Sequence, residues 1–324
     1  MIDILISENI SGAAVDALCS RFQVSRQPNL FENQDALLEA AQSARALIVR
    51  NKTLVTGDLM RAAKHLIAVG RAGAGLDNID VKSANQAGVV VTYTPDQNSI
   101  SAAELTMGLM IALARNIPQA TLDTSGGGWN RHRFMGTELY GKTLGIIGAG
   151  KIGYLTAARA RAFGMKILAY DPFLSSDNIL LCELRAELVE LDDLLARADV
   201  VSCHVPASPQ TKGLINRERL QRMKPTAYFI NTARGPVVVE EDMVDALKAG
   251  TLAGAALDVR ASEPPQSCEL NRMPNVILTP HIAAFTREAQ NRVTRAVCDD
   301  IARLLEGKPA KNAATKFNQP HNRA

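Results

Sequence analysis

The sequence contains few cysteines, and their spacing predicts neither a disulfide framework nor a zinc site. The five are Cys19, Cys182, Cys203, Cys268 and Cys298, an odd number spread along the chain without a Cys-x-x-Cys pair. Disulfide frameworks and zinc sites usually show closely and regularly spaced cysteines. We therefore expect reduced, partly buried thiols and no bound metal.

Long apolar runs, charge of one sign and abundant aromatic residues are also lacking. No apolar stretch approaches the roughly 20 residues of a membrane span, and the first residues carry an acid but no basic segment typical of a signal peptide. The formal net charge is +3 over 324 residues, without charged blocks, and aromatic residues make up 4%. These features argue against nucleic-acid and membrane partners, and we expect a soluble cytoplasmic protein.

The chain does contain 47% hydrophobic residues, which occur in short runs separated by helical patterns. A first series comprises IDILI, ALIV, LIAV and VVVT; a second begins at KTLGIIG and continues through KILAYD, DVVSCHV, AYFINT, GAALDV and NVILTP. A long helical pattern over residues 99–119 separates them. Consecutive apolar positions are typical of parallel strands covered by helices on both faces. The sequence therefore predicts an α/β protein with two doubly wound parallel sheets.

A glycine motif directly follows the first strand of the second series and precedes a helical pattern. The motif and the first residues of the following helix are Gly148, Gly150, Lys151, Ile152 and Gly153. This G-x-G-x-x-G spacing is typical of a turn that brings backbone and a helix N-terminus to a pyrophosphate. Asp171 ends the next strand at about the 20-residue offset of the acid that binds ribose hydroxyls. Because its carboxylate would repel a 2′-phosphate, the motif predicts NAD rather than NADP.

Three further polar residues follow strands of the second series: Arg234, Glu263 and His281. Ligands of open α/β sheets bind beyond the carboxyl ends of the strands, so these side chains can converge. Arginine offers a planar fork for a carboxylate, histidine exchanges a proton near neutral pH, and a glutamate beside the imidazole favours its charged form. Taken singly, Arg234 could equally form a surface ion pair, Glu263 could lie in a solvated turn, and His281 could be a packed structural histidine. Together they suit hydride transfer to a 2-oxo acid.

These motifs resemble the D-isomer-specific 2-hydroxyacid dehydrogenases from about residue 46 to residue 309. The likeness includes GAGKIG, YDPF, NTARGPVVVEEDMVDALKAGTLAGAALDV, EPP and TPHIAA. Within the family, RAGAGLDNID, NSISAAELTMGLMIALAR and WNRHRFMGTELYGKTLGIIG are most similar to the 3-phosphoglycerate dehydrogenases. The resemblance implies NAD-dependent hydride transfer at C2 of an anionic 2-hydroxy acid, with Arg234, Glu263 and His281 as the catalytic set.

The resemblance also implies a domain organisation and a set of ligand contacts. It implies two Rossmann-like domains, a substrate domain of residues 1–98 and 286–324 and an NAD-binding domain of residues 99–285, with the active-site cleft between them and a hinge at Asn98 and Ser99. The implied substrate contacts are Arg50, Asn51, Asn98 and the backbone of Ala72, Gly73 and Ala74, and the further cofactor contacts are His204, Thr232 and Asp258. The family is usually dimeric, so we expect a homodimer.

Some positions depart from the pattern of 3-phosphoglycerate dehydrogenases. Asp96 and Gln97 precede Asn98 where a small residue is usual, Arg260 stands where Phe is usual, and Phe285 replaces a Ser and would narrow the pocket near His281. Hydroxypyruvate, glyoxylate and a sulfonated acid such as sulfolactate are therefore alternative substrates. A different class of function is also open, an NADH-sensing binding protein resembling the corepressors of this fold.

The segment GGGWNRHRFMG, residues 126–136, contains the only tryptophan, Trp129, and a basic run that includes Arg131 and Arg133. One interpretation is a solvated basic surface, since exposed charges usually have no further role. The other is that Trp129 packs on a partner subunit while Arg131 or Arg133 binds the distal anion of the substrate across the dimer.

Overall fold

A computed structural model of the chain describes residues 2–320. The Cα positions divide the chain into two compact units, of which unit 1 comprises Met1–Asn98 and Arg287–Ala324 and unit 2 comprises Ser99–Thr286. Each unit is built around one sheet of parallel strands. The predicted fold class, two parallel-sheet α/β domains, is confirmed.

Unit 1 contains a five-stranded sheet in the order β2-β1-β3-β4-β5. Its strands are β1 (Ile2–Ile6), β2 (Val24–Arg26), β3 (Ala44–Val49), β4 (Ala68–Arg71) and β5 (Val90–Thr92). Its helices are α1 (Ala13–Cys19), α2 (Gln34–Gln42), α3 (Gly57–Ala62), α4 (Val81–Ala87) and a C-terminal helix (Arg287–Leu305). The C-terminal helix buries Val297 and Ile301, and a Cβ at Gly70 would lie 2.7 Å from Val297 Cγ2. Glycine in β4 thus lets this helix pack closely on the sheet.

Unit 2 contains a seven-stranded sheet in the order β12-β11-β10-β9-β6-β7-β8. Its strands are β6 (Thr143–Ile147), β7 (Lys166–Tyr170), β8 (Glu187–Leu188), β9 (Val200–Cys203), β10 (Tyr228–Asn231), β11 (Gly254–Leu257) and β12 (Val276–Leu278). Its helices are α5 (Ser99–Ala114), α6 (Ile117–Ser125), α7 (Lys151–Ala162), α8 (Ile179–Leu184), α9 (Leu191–Arg197), α10 (Arg217–Arg222) and α11 (Glu240–Lys248). Because all seven strands run in parallel, their carboxyl ends share one edge of the sheet.

The helical pattern over residues 99–119 forms two helices rather than one. Asn116 adopts a left-handed conformation with φ of 52° and Pro118 stands in the first turn of α6, so the helical hydrogen bonds cannot continue. The axes of α5 and α6 differ by 63°. No single helix within residues 2–320 is long and apolar enough to cross a membrane. Taken together, the bent pair α5 and α6 would be, by length and composition alone.

Candidate active site

The glycine motif forms the turn between β6 and α7 in unit 2. Gly148 has a φ of 90°, and a Cβ on it would lie 2.9 Å from Val205 Cγ1. A Cβ on Gly153 would clash with the carbonyl oxygen of Gly148, whereas a Cβ on Gly150 would meet no atom within 4 Å. The outer glycines are therefore needed for the turn and for close packing of α7. The open space at Gly150 and the start of α7 at Lys151 and Ile152 fit a pyrophosphate.

Asp171 follows β7 and lies beside this turn. Its Oδ2 accepts a hydrogen bond from the Ala149 N–H at 3.0 Å, and its Oδ1 accepts one from the Phe173 N–H at 3.0 Å. The carboxylate is thus held at the carboxyl edge of the sheet, one strand away from the glycine turn. This placement fits an acid that binds ribose hydroxyls.

Two of the other predicted cofactor contacts also follow strands of unit 2. His204 follows β9, and its Nε2 lies 2.9 Å from Ser202 Oγ. Burial lowers the pKa of His204 to about 4, so the imidazole is neutral at physiological pH. Thr232 follows β10 and its Oγ1 lies 2.9 Å from Thr106 Oγ1. Both residues stand at the carboxyl edge, and their contact with a cofactor stays a prediction.

Asp258, the third predicted cofactor contact, stabilises the loop that contains His281. It is 1% exposed, and its carboxylate accepts hydrogen bonds from Thr279 Oγ1 at 2.6 Å and from the N–H groups of Ile282 and Ala283 at 2.9 and 2.8 Å. The His281 N–H also donates to the Asp258 carbonyl at 2.8 Å. This loop-anchoring role was not predicted from the sequence.

The structure brings His281 and Glu263 together. His281 Nδ1 lies 2.6 Å from Glu263 Oε2, while within residues 2–320 Nε2 has no hydrogen-bond partner. Burial raises the pKa of Glu263, but hydrogen bonds from His281 and from the Arg260 N–H lower it by more than burial raises it. The pKa therefore lies below its ordinary value. The carboxylate is therefore charged at neutral pH and can accept a hydrogen bond from the Nδ1–H of His281.

Arg234 stands at the carboxyl end of β10, and its charge lowers the pKa of Glu263 further. Its carbonyl accepts from Asn231 Nδ2 at 2.9 Å, and its Nη1 donates to the Ala233 carbonyl at 2.7 Å. A Cβ on the next residue, Gly235, would clash with the Arg260 carbonyl. Glycine at this position thus lets the Arg234 turn pack against the loop that leads to Glu263.

Arg50 and Asn51 follow β3 in unit 1, in a loop fixed by Glu8 and Asn78. Glu8 is 5% exposed, and its carboxylate accepts from the N–H groups of Arg50, Lys52 and Thr53 at 2.7, 3.3 and 3.0 Å. Asn78 Nδ2 donates to the carbonyls of Arg50 and Thr53 at 2.9 and 2.7 Å. Neither Glu8 nor Asn78 was identified from the sequence. Glu8 lies two residues after β1, and a polar residue just beyond an apolar strand is the same pattern that identified Arg234.

The backbone of Ala72, Gly73 and Ala74 is less available than the resemblance implies. The Ala72 N–H donates to the Val49 carbonyl at 2.8 Å, and the Gly73 N–H donates to the Arg71 carbonyl at 2.9 Å. Of the three N–H groups, only that of Ala74 lacks an acceptor within residues 2–320. For all three N–H groups to bind a substrate carboxylate, those of Ala72 and Gly73 would have to break these hydrogen bonds to backbone carbonyls. Asn98 ends unit 1, and Ser99 begins α5.

The basic segment lies on an exposed part of unit 2. Trp129 is 87% exposed, and Arg131–Phe134 forms a short 3-10 helix. Arg133 Nη1 lies 3.7 Å from Asp123 Oδ1, and its guanidinium lies 5.7 Å from the Phe134 ring centre. Within residues 2–320, neither Arg131 nor Arg133 contacts Glu263 or His281. This exposure accommodates both interpretations of the segment.

All five cysteines are free thiols. Burial raises the pKa of Cys203 and of Cys298 to about 12, so both stay protonated at neutral pH. In the part of the chain that the structure describes, no group of three His, Cys, Asp or Glu residues is arranged to hold a metal ion.

Comparisons with known proteins identify a family and several relatives to which the chain is similar. Residues 107–283 match the NAD binding domain of the D-isomer specific 2-hydroxyacid dehydrogenases. The whole chain is 43% identical to a D-3-phosphoglycerate dehydrogenase from Methanocaldococcus jannaschii, and 97% of it is 42% identical to one from Synechocystis. The chain spans 61% and 56% of the length of these two relatives.

Solved structures cover the chain almost completely. The TT0316 protein from Thermus thermophilus is 34% identical, with a TM-score of 0.91 over 97% of this chain and 100% of that one. A glyoxylate reductase from Paecilomyes thermophila is 30% identical, with a TM-score of 0.86 over 97% of this chain and 98% of that one. The similarity therefore extends through both units.

Proposed function

Because the chain belongs to the D-isomer specific 2-hydroxyacid dehydrogenase family, we propose that it is an NAD-dependent dehydrogenase of an anionic D-2-hydroxy acid. The observation that supports this most directly is the 2.6 Å contact between His281 and Glu263. The pair lies in the same unit as the glycine turn and Asp171, in the NAD-binding domain of the family. We propose a substrate of the 3-phosphoglycerate class, after the curated relatives.

Each side chain has a distinct role in this proposal. The turn from Gly148 to Gly153 binds the pyrophosphate and Asp171 the ribose; when bound, NAD supplies the hydride acceptor at its nicotinamide ring. Arg234 orients the substrate carboxylate and polarises the C2 oxygen. His281 Nε2 takes the hydroxyl proton during oxidation and returns it during reduction. Glu263 holds Nδ1 of His281 and so fixes the tautomer and the orientation of the ring.

A smaller substrate is the second candidate. Phe285 lies four residues after His281, is 64% exposed, and donates its N–H to the Ile282 carbonyl at 2.8 Å. If this ring lines the substrate pocket, it favours a compact acid such as glyoxylate or hydroxypyruvate over a phosphorylated one. Sulfopyruvate carries a sulfonate in place of a phosphate, so its turnover shows whether any second anionic group is accepted. The substrate roles of Arg50, Asn51 and Asn98 stay predictions.

The experiment is a kinetic panel with NADH and phosphohydroxypyruvate, sulfopyruvate, hydroxypyruvate, glyoxylate and pyruvate. We expect the highest kcat/KM with phosphohydroxypyruvate. Highest kcat/KM with glyoxylate or hydroxypyruvate would instead support the compact substrate. No turnover with any acid, together with NADH-dependent binding of a protein partner, would support the corepressor-like function and overturn the enzymatic one.

We also propose that the protein is a homodimer through the segment from α6 to Tyr140. This segment exposes large apolar side chains, with Leu122 75%, Trp129 87%, Met135 81% and Tyr140 78% exposed. Clustered exposed apolar residues usually mark an interface. Light scattering should give the mass of two chains, and Trp129→Ala with Met135→Ala should give one. A variant that remains dimeric would place the interface elsewhere.

A further inference from the structure

Arg260, in the loop that leads to Glu263, forms a largely buried ion pair with Glu240 that has no part in the proposed proton transfer. The Arg260 side chain is 7% exposed. Its Nε donates to Glu240 Oε1 at 3.0 Å and its Nη2 to Glu240 Oε2 at 2.8 Å. Two parallel hydrogen bonds fix the planes of both groups. Arg260 Nη2 also lies 3.0 Å from Cys268 Sγ, so the guanidinium is enclosed on two sides.

The same two residues hold the backbone beside Glu263. Glu240 Oε1 accepts a second hydrogen bond, from the Ala261 N–H at 2.7 Å. The Arg260 N–H donates to Glu263 Oε1 at 3.1 Å. Glu240 is the first residue of α11, so a regular helix anchors this loop at two consecutive residues. The anchored backbone therefore donates a hydrogen bond to one carboxylate oxygen of Glu263, Oε1.

The other oxygen of Glu263 is the one that contacts His281. Because a carboxylate is planar, the Arg260 N–H on Oε1 orients Oε2, which lies 2.6 Å from His281 Nδ1. Gly235 also packs closely against the Arg260 carbonyl, which limits movement of the loop toward Arg234. A shift of this loop would therefore misplace the carboxylate relative to the imidazole.

We propose that Glu240 and Arg260 are positioning residues that hold Glu263 in the geometry that orients His281. The inference about turnover rests on the proposed function, whereas the inference about the Glu263 geometry does not. Loss of the pair displaces the loop, weakens the hydrogen bonds on Glu263 and slows proton transfer. Binding of NAD, which involves the glycine turn and Asp171, is unaffected.

The test variant is Glu240→Gln with Arg260→Leu, because removing one partner alone would leave an unpaired charge in a buried site. Arg260→Lys in the wild-type background is the conservative variant and retains a cation beside Glu240. The control is Glu187→Gln with Arg197→Leu, which removes an ion pair whose side chains are 57% and 41% exposed. Arg197 also donates two hydrogen bonds to the Glu187 carboxylate, at 2.9 and 2.6 Å. This pair lies in unit 2 and does not contact the Glu263 loop.

Three measurements separate positioning from general stability: kcat on the best 2-oxo acid, the Kd for NADH by fluorescence, and the pKa of Glu263 by carboxyl carbon NMR without substrate. For the test variant we expect kcat to fall on the order of ten- to a hundredfold, the Kd for NADH to stay within about twofold, and the pKa of Glu263 to rise toward its ordinary value. Arg260→Lys should retain most of the wild-type kcat, and the control should change none of the three.

An unchanged kcat with an unchanged Glu263 pKa in the test variant would overturn the inference. An equal loss of kcat in the control would overturn it as well, since the effect would then be general. If the wild-type protein reduces no 2-oxo acid, the proposed function fails, and the pKa of Glu263 alone decides the positioning role. A rise of that pKa in the test variant then supports it.

Discussion

His281 Nδ1 lies 2.6 Å from Glu263 Oε2, and His281 adopts a left-handed backbone conformation with φ of 55°. This conformation is costly for a residue with a Cβ and persists only where surrounding contacts enforce it. Asp258 supplies those contacts, through hydrogen bonds on both sides of His281 in the chain. The imidazole is therefore oriented by a buried carboxylate through the backbone and by Glu263 through the ring.

Replacement of His281 by Gln should abolish turnover while binding of NADH survives. Without the imidazole, no group on this loop can exchange the C2 hydroxyl proton, and general acid–base catalysis usually contributes about 10²- to 10⁴-fold to the rate. Stopped-flow absorbance of NADH measures turnover, and fluorescence titration measures the Kd for NADH. A folded His281→Gln protein that no longer binds NADH would count against a purely catalytic role.

Replacement of Glu263 by Gln should lower the stability of the protein in a pH-dependent way. The folded pKa of Glu263 lies below its ordinary value of 4.5, so the ionised carboxylate stabilises the fold above the unfolded pKa. That contribution is lost as the pH falls through the folded pKa. Urea unfolding of wild type and variant should therefore differ most above the ordinary pKa of 4.5 and converge as the pH falls through the lower folded pKa. Glu241→Gln is the control, since Glu241 is exposed. A Glu263→Gln difference that is constant with pH would contradict the prediction.

Asp171→Ala should weaken binding of NADH and reduce discrimination against NADPH. The variant removes the carboxylate that would bind the ribose and repel a 2′-phosphate, and a change in the NADH to NADPH preference of about tenfold corresponds to one such interaction. Asp171→Asn retains an oxygen for the Ala149 or Phe173 N–H and separates loss of charge from loss of the turn. Asp177→Ala, in the following segment, is the control. An unchanged cofactor preference would remove Asp171 from the ribose site.

The parts of the fold and site that the sequence predicted are those with a local pattern. Apolar runs predicted both sheets, and glycine spacing with Asp171 predicted the nucleotide turn. The helix over residues 99–119 was predicted as one because apolar residues continue past Asn116, whose left-handed conformation has no reliable sequence pattern. The break is visible only as an Asn followed by Pro118 two residues later.

The contacts that the sequence did not predict are tertiary and mostly involve backbone groups. Asp258 was assigned to the cofactor by resemblance, yet its hydrogen bonds are with the His281 loop. Glu8 accepts from three N–H groups of a loop more than 40 residues away. Every residue except proline has such a donor, so no residue type in that loop indicates its partner. The Ala72 and Gly73 N–H groups illustrate the same difficulty, because their acceptors depend on strand register and on a local turn.

Glu8→Ala should destabilise unit 1 and weaken substrate binding. The substitution leaves the buried N–H of Thr53 and two partly buried N–H groups without this acceptor, which costs about 1–3 kcal/mol of unfolding free energy. It also releases the loop that contains Arg50 and Asn51. If these residues bind substrate as proposed, KM for the 2-oxo acid should rise more than kcat falls. Glu8→Gln retains an acceptor oxygen and should be milder in both respects. A Glu8→Ala protein with unchanged KM would argue that the Arg50 loop has no part in substrate binding.

Replacement of Arg131 and Arg133 by Ala should distinguish a substrate-binding segment from a solvated surface. Arg133 is 69% exposed in its side chain and lies 3.7 Å from Asp123, and such an exposed pair is worth little, so its guanidinium can bind an incoming anion. If it binds the distal group of the substrate, KM for phosphohydroxypyruvate should rise roughly tenfold, as expected for loss of a charge-assisted hydrogen bond, while KM for glyoxylate, which has no distal group, should not. Arg272→Ala, at another exposed arginine of unit 2, is the control. Equal rises in KM for both substrates would show that the segment does not bind the distal phosphate. A general change in fold or dimerisation would affect both substrates alike.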